Sequence, residues 1–199
     1  MKFLILNGPN LNLMRYSEPG MPGELDFDGM MDLVAAACAQ MGIETDFCQS
    51  NHEGDLIDEI QAAAGRVDGI VLNPGGYAHT SVAILDALRL CRVPVVEVLL
   101  NAPDEHEPFR KTDVISFGCQ GHFVGEGPQG YLHACAYLAQ LLHTDGTPKT
   151  HIVMCQIDPL SRLPATAHET PSGSPLWGQR HCAAKTERVF IKTERNLLP

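Results

Sequence analysis

The run Gly69-Ile70-Val71-Leu72, passing straight into Asn73-Pro74-Gly75-Gly76, limits the folds open to this chain more than any other stretch. A short apolar run without polar alternation is the pattern of a strand buried on both faces of a parallel sheet. Gly75 and Gly76 suit a tight turn and a close backbone approach, and Thr80 or Ser81 can cap a helix over residues 82–90. The turn then presents Asn73, His79 and free backbone N–H groups outside the carboxyl edge of the sheet. Open α/β sheets bind small polar ligands at that edge. An ordinary strand-to-helix turn accounts for the glycines but not for the polar side chains packed among them.

The first 143 residues alternate in the same manner. Residues 2–7 read as a strand, followed by the turn Gly8-Pro9-Asn10-Leu11-Asn12. Residues 15–23 are too broken by Pro and Gly for regular structure and long enough to form a lid. Helical spacing over 27–41 stops at Gly42. A strand at 43–48, a helix at 56–64, the central strand and a helix at 82–91 follow. Residues 93–100 form an apolar strand interrupted only by Glu97. Beyond a polar loop at 101–112, residues 114–117 and 122–124 read as the last strand material, and 130–142 as a closing helix. Five strands alternating with helices predict an α/β chain: a flavodoxin-like three-layer sandwich around a five-stranded parallel sheet.

Charge and cysteine usage narrow the partners. The chain carries a net charge of −10 without any basic cluster, so nucleic acid and anionic membranes are poor candidates. Met1-Lys2 leads directly into a strand, with no apolar leader and no run of membrane-spanning length, which predicts a cytoplasmic protein. The seven cysteines lack metal-ligand spacing, and they predict a reducing compartment with no disulfide framework and no metal site. Composition shifts near residue 144. Residues 145–199 hold seven Lys/Arg and five Asp/Glu, a net of +2, which leaves −12 for the first 144. The expected organisation is a domain over 1–143 and a partly irregular extension over 144–199.

Several blocks closely resemble the type II 3-dehydroquinate dehydratases. They are Leu6-Asn7-Gly8-Pro9-Asn10-Leu11-Asn12-Leu13, Gln49-Ser50-Asn51-His52-Glu53-Gly54, Asn73-Pro74-Gly75-Gly76-Tyr77-Ala78-His79-Thr80-Ser81, Pro94-Val95-Val96-Glu97-Val98, Phe109-Arg110 and Gly125-Glu126-Gly127-Pro128-Gln129-Gly130-Tyr131. The resemblance implies a homo-oligomer built from trimers, often four of them in a dodecamer, acting on a small molecule without metal or cofactor. It implies removal of the axial proton beside a ketone, an enolate, and loss of a hydroxyl protonated by a general acid. On that basis Asn10 stabilises the enolate through water. Asn73, His79, Leu100, Asn101 and Arg110 bind the substrate, and Asp86 reaches a site across the trimer interface. Glu97 matches the glutamate beside the catalytic histidine.

The proton-transfer residues depart from that pattern. Ser17 stands at the family's lid arginine, Pro22 at its tyrosine base, and Leu99 at its histidine acid. A positioned acid or base is worth about 10²- to 10⁴-fold in rate, and neither proline nor leucine can transfer a proton. Two replacements are at hand. Tyr16, next to Arg15, either packs on the surface or swings inward as a base. Glu97 is either a buried structural group or, without its histidine, an acid or base with a raised pKa. His106 replaces a family arginine and reads as a solvated loop residue. The expected function is therefore a cofactor-free lyase with altered chemistry, a dehydratase or cyclase on a polyhydroxylated or polyketide-like carbonyl compound in secondary metabolism. The alternatives are 3-dehydroquinate dehydratase with a rearranged lid, and a non-catalytic binding or scaffold protein.

Overall fold

The computed structural model describes residues 1–17, 25–102 and 107–144. Five parallel strands form the sheet: β1 (Lys2–Asn7), β4 (Glu44–Gln49), β5 (Gly69–Asn73), β6 (Val95–Leu99) and β7 (Gly121–Val124). Their spatial order is β4-β1-β5-β6-β7, the flavodoxin-like arrangement that alternating strands and helices predict. Two further strands, β2 (Arg15–Tyr16) and β3 (Leu25–Asp26), pair antiparallel across the start and end of the lid region. The Pro/Gly content of that region had pointed to irregular chain throughout. Pro22 of the expected lid lies outside the described residues, as do His106 and residues 145–199.

Strand alternation splits the core into two layers. Phe3, Ile5, Val71, Val96 and Val98 face α1 (Phe27–Gln40) and α4 (Gln129–His143). Leu4, Leu6, Ile70, Leu72 and Val95 face α2 (Glu53–Ala62) and α3 (Val82–Cys91). Side chains of successive strand residues point to opposite faces, so each covered face needs its own apolar set. Asp26 caps α1 by accepting the Gly29 N–H at 2.9 Å. Ser81, one of the two caps expected for α3, accepts the Ile84 N–H at 2.9 Å.

Residues 114–117 are not a strand. Ile115–Gly118 forms a 3-10 turn because Asp113 Oδ1 accepts the Ser116 N–H at 3.0 Å, a local bond that competes with a sheet ladder. The last strand is β7 alone. Among the described residues Cys38, Cys91, Cys119 and Cys135 are free. Among the described residues no helix is long and apolar enough to cross a membrane.

The first and central turns touch at Gly8. Its N–H donates to the Asn73 carbonyl at 2.7 Å, and a Cβ there would lie 2.4 Å from the Pro74 carbonyl oxygen. Gly8→Ala must push the two turns apart and is expected to cost about 1–3 kcal/mol, as overpacking does. Urea unfolding of the variant at neutral pH measures it, and an unchanged midpoint would contradict the close approach.

Candidate active site

The carboxyl ends of β1, β4 and β5 converge on a hydrogen-bonded platform. Asn7 and Asn73 end adjacent strands in register and are 1% exposed. Between them stands Tyr131 in the first turn of α4. Its hydroxyl donates to Asn7 Oδ1 and accepts from Asn73 Nδ2 at 2.9 Å. Burial pushes the phenol well above its ordinary value, so Tyr131 is a neutral linker here. Asn73 Oδ1 accepts the Gly75 N–H at 3.1 Å, which holds the turn Gly75–His79 over the end of β5. Tyr131→Phe would leave two buried amides short of a partner, at a cost of about 1–3 kcal/mol. A thermal or urea melt checks that figure.

Asn51 ties the neighbouring turns together. Its side-chain oxygen accepts the Asn10 N–H at 2.9 Å and Gln49 Nε2 at 3.1 Å, and its carbonyl accepts the Tyr77 hydroxyl at 3.1 Å. Asn10 is exposed and held in the left-handed region at φ 67°, which asparagine tolerates better than most residues. Its side chain caps nothing in the following 3-10 turn. His79 closes the other side of the platform. Its Nδ1 faces the Thr112 carbonyl at 2.8 Å, a contact that requires Nδ1–H and leaves Nε2 as the open ring nitrogen. The Val114 N–H donates to the Ala78 carbonyl at 2.8 Å, so the segment at 112–114 docks on the same turn. The 3-10 turn Pro108–Lys111 packs there too and brings Arg110, whose guanidinium pairs with Glu107 and lies 5.6 Å from the Phe109 ring centre.

Asn10, Asn73, His79 and Arg110 therefore share one edge of the sheet. Tyr16 reaches the β6–β7 side of that edge. It is half-buried, and a Cβ on Gly127 would lie 2.3 Å from its hydroxyl oxygen, so the phenol fills the space that a side chain at 127 would need. Gly127 in turn donates its N–H to the Leu100 carbonyl at 2.9 Å. Leu100 itself is in the core, 5% exposed, so only its backbone can face a ligand. Asn101 is exposed next to it, and Leu99 is half-buried at the end of β6. Asp86 is exposed on α3 and does not join the cluster.

Glu97 lies on the α2/α3 side of β6, fully buried, and neither of its oxygens has a hydrogen-bond partner among the described residues. Burial, then the charge of nearby Asp113, push its carboxyl up to about 9. His122, opposite it in register on β7, approaches no nearer than 3.9 Å. Glu97 is thus a protonated acid at neutral pH, set below Leu99. Sequence reasoning passed over Asn51 and Tyr131 as site-building residues. Tyr131 sits in an apolar helical register that reads as core, and only its place at the start of α4, opposite two strand-ending asparagines, gives it away.

Two cavities lie elsewhere. About 680 Å³ opens at the opposite, amino-terminal edge of the sheet, and a second space of about 210 Å³ lies beside β2 and α1. Neither is lined by Asn10, Asn73, His79 or Arg110. The candidate site is assigned by converging polar groups, not by volume. Among the described residues no group of three His, Cys, Asp or Glu side chains is arranged to hold a metal ion.

Fold and edge together define an α/β sandwich with a cluster of polar groups outside the carboxyl ends of its parallel strands, where such sheets bind small molecules. The chain belongs to the class II dehydroquinase family, whose model matches residues 1–139. A 3-dehydroquinate dehydratase of Corynebacterium glutamicum is 44% identical over 140 residues, covering 70% of this chain and 97% of that protein. The 3-dehydroquinate dehydratase 2 of Pseudomonas putida is 45% identical over 139 residues, 70% of this chain and 93% of its own. The crystal structure of a type II dehydroquinase from Butyrivibrio crossotus matches with a TM-score of 0.64 at 40% identity, over 70% of this chain and 97% of that one. The relatives are dehydratases, and the chain is a family lyase.

Proposed function

We propose that the chain is a cofactor-free dehydratase acting on 3-dehydroquinate through a rearranged lid, with Tyr16 as the base. The observation that supports this reading is the Tyr16 hydroxyl against Gly127, at the same sheet edge as Asn10, Asn73, His79 and Arg110. A phenolate there takes the axial proton beside the ketone, and Asn10 holds the enolate oxygen through water. His79 and Arg110 hold the ring substituents, over the turn that buried Asn73 fixes. Leu99 cannot protonate the departing hydroxyl, so that proton must come from another group; His79, whose Nδ1–H is engaged by the Thr112 carbonyl, can give it from Nε2 only as the imidazolium. Exposed Asp86 completes a neighbouring subunit's site in a trimer. Loss of the positioned acid predicts turnover slower by about 10²-fold or more than in a relative that has one.

A second reading, altered chemistry on a larger or more aromatic cyclic ketone, is favoured by one observation: a half-buried, apolar Leu99 at the end of β6, the position that the resemblance matches to an acid histidine. The names of the relatives lend nothing to a polyketide-like substrate. The purified full chain, incubated with 3-dehydroquinate and followed by the absorbance of the conjugated product, tests the first reading. Slow but protein-dependent conversion is expected. No conversion, with binding retained, would transfer the conclusion to the second reading or to a non-catalytic binding protein.

A further inference from the structure

The large cavity at the amino-terminal edge has a chemistry of its own. It opens between the carboxyl ends of α3 and α4, near the starts of β6 and β7, and Phe117, Tyr137, Leu141 and Leu142 form apolar walls. Arg89 and Arg92 also line it. Residues 1–144 hold only seven Lys/Arg against nineteen Asp/Glu, so a cation there has many possible partners. Lys2, Arg66 and Arg110 all sit in ion pairs. Among the described residues, no carboxylate lies within ion-pair distance of Arg89 or Arg92. Two exposed guanidiniums with no carboxylate partner among the described residues, in so acidic a body, leave a local site for an anion.

The backbone at Arg92 adds a second, independent sign. Arg92 ends α3 at φ 58°, in the left-handed region that glycine adopts without strain and that an arginine enters at a cost. A cation near a helix carboxyl end gains from the helix dipole, but Arg89 in the last turn of α3 already supplies that. The Arg92 side chain at this position lines the cavity. About 680 Å³ is within the range of small-molecule sites, and apolar walls with a few convergent polar groups are their usual lining.

We propose that this cavity binds a small aromatic or alicyclic carboxylate, its ring against Phe117, Tyr137 and Leu141 and its carboxylate on Arg89 and Arg92. The site is separate from the carboxyl-edge cluster and does not depend on the reaction assigned to it. Calorimetric titration of the full chain with 2-naphthoate tests the proposal, with the neutral 2-naphthylmethanol as control. One saturable site per chain is expected for the carboxylate, with binding at least tenfold weaker for the alcohol. The double variant Arg89→Gln with Arg92→Gly should weaken naphthoate at least tenfold while folding normally, since glycine relieves the left-handed backbone. Arg110→Gln should leave naphthoate binding unchanged.

Four results would overturn the proposal. They are no saturable binding, equal binding of acid and alcohol, equal binding by the double variant, and loss of binding in Arg110→Gln, which would place the probe at the other edge. Sedimentation of Phe117→Ala is a fifth arm. Dissociation of an assembly by that change would assign the cavity to a contact between subunits and sink the ligand reading.

Discussion

Tyr16→Phe is expected to lower kcat on 3-dehydroquinate by about 10²- to 10⁴-fold with little change in KM, the effect of removing a positioned base. The variant keeps the ring that packs beside Gly127 and loses only the oxygen, so folding should be unaffected. Steady-state kinetics check the outcome. A Tyr16→Phe enzyme that retains kcat within about threefold would remove Tyr16 from the chemistry, since so small a change is far below what a positioned base contributes.

The second large effect concerns stability and pH. Glu97 is fully buried, and its carboxyl is pushed up from 4.5 to about 9 in the folded protein. The folded value lies above the unfolded one, so the unfolded chain gives up this proton first as pH rises. Stability from the neutral acid is fully present below about 4.5 and is lost progressively as pH climbs toward about 9. At 1.36 kcal/mol per pH unit the loss is at most about 6 kcal/mol. Glu97→Gln has no proton to lose. Its own buried amide costs about 1–3 kcal/mol if unpartnered, but that cost does not vary with pH. Urea midpoints at pH 5.5 and 8.5 should fall steeply for the wild type and far less for Glu97→Gln. Parallel slopes would mean that Glu97 is not a buried neutral acid.

The sheet was legible because burial leaves a direct trace in residue order. Gly69 to Leu72 is apolar without alternation since both faces of β5 are covered, and Ser81 precedes α3 because a helix start needs an acceptor. The misreadings share a cause. Val114 to Phe117 has strand-like composition, yet the Asp113 side chain supplies the Ser116 N–H with a partner one turn away, and the ladder never forms there. The pairing of Arg15 and Tyr16 with Asp26 and Leu25 joins residues separated by Pro and Gly, and no local periodicity reports it.

The candidate site was legible in part. Asn10, Asn73 and His79 stood out as polar residues in glycine-rich turns, but neither cavity is lined by any of them. Tyr131 and Asn51 did not stand out, because their value depends on partners 58 residues and 41 residues away. Glu97 was marked by its place in an apolar strand. That its oxygens find no hydrogen-bond partner among the described residues emerges only from packing.

The most direct measurement uses 3-dehydroquinate carrying deuterium at the axial position beside the ketone, incubated with the full chain. The account predicts a slow rise in absorbance from the conjugated product, formation of which is abolished by Tyr16→Phe, and a product mass showing that the deuterium has gone. A product that retains the label, or hours of incubation without any protein-dependent rise, would contradict it.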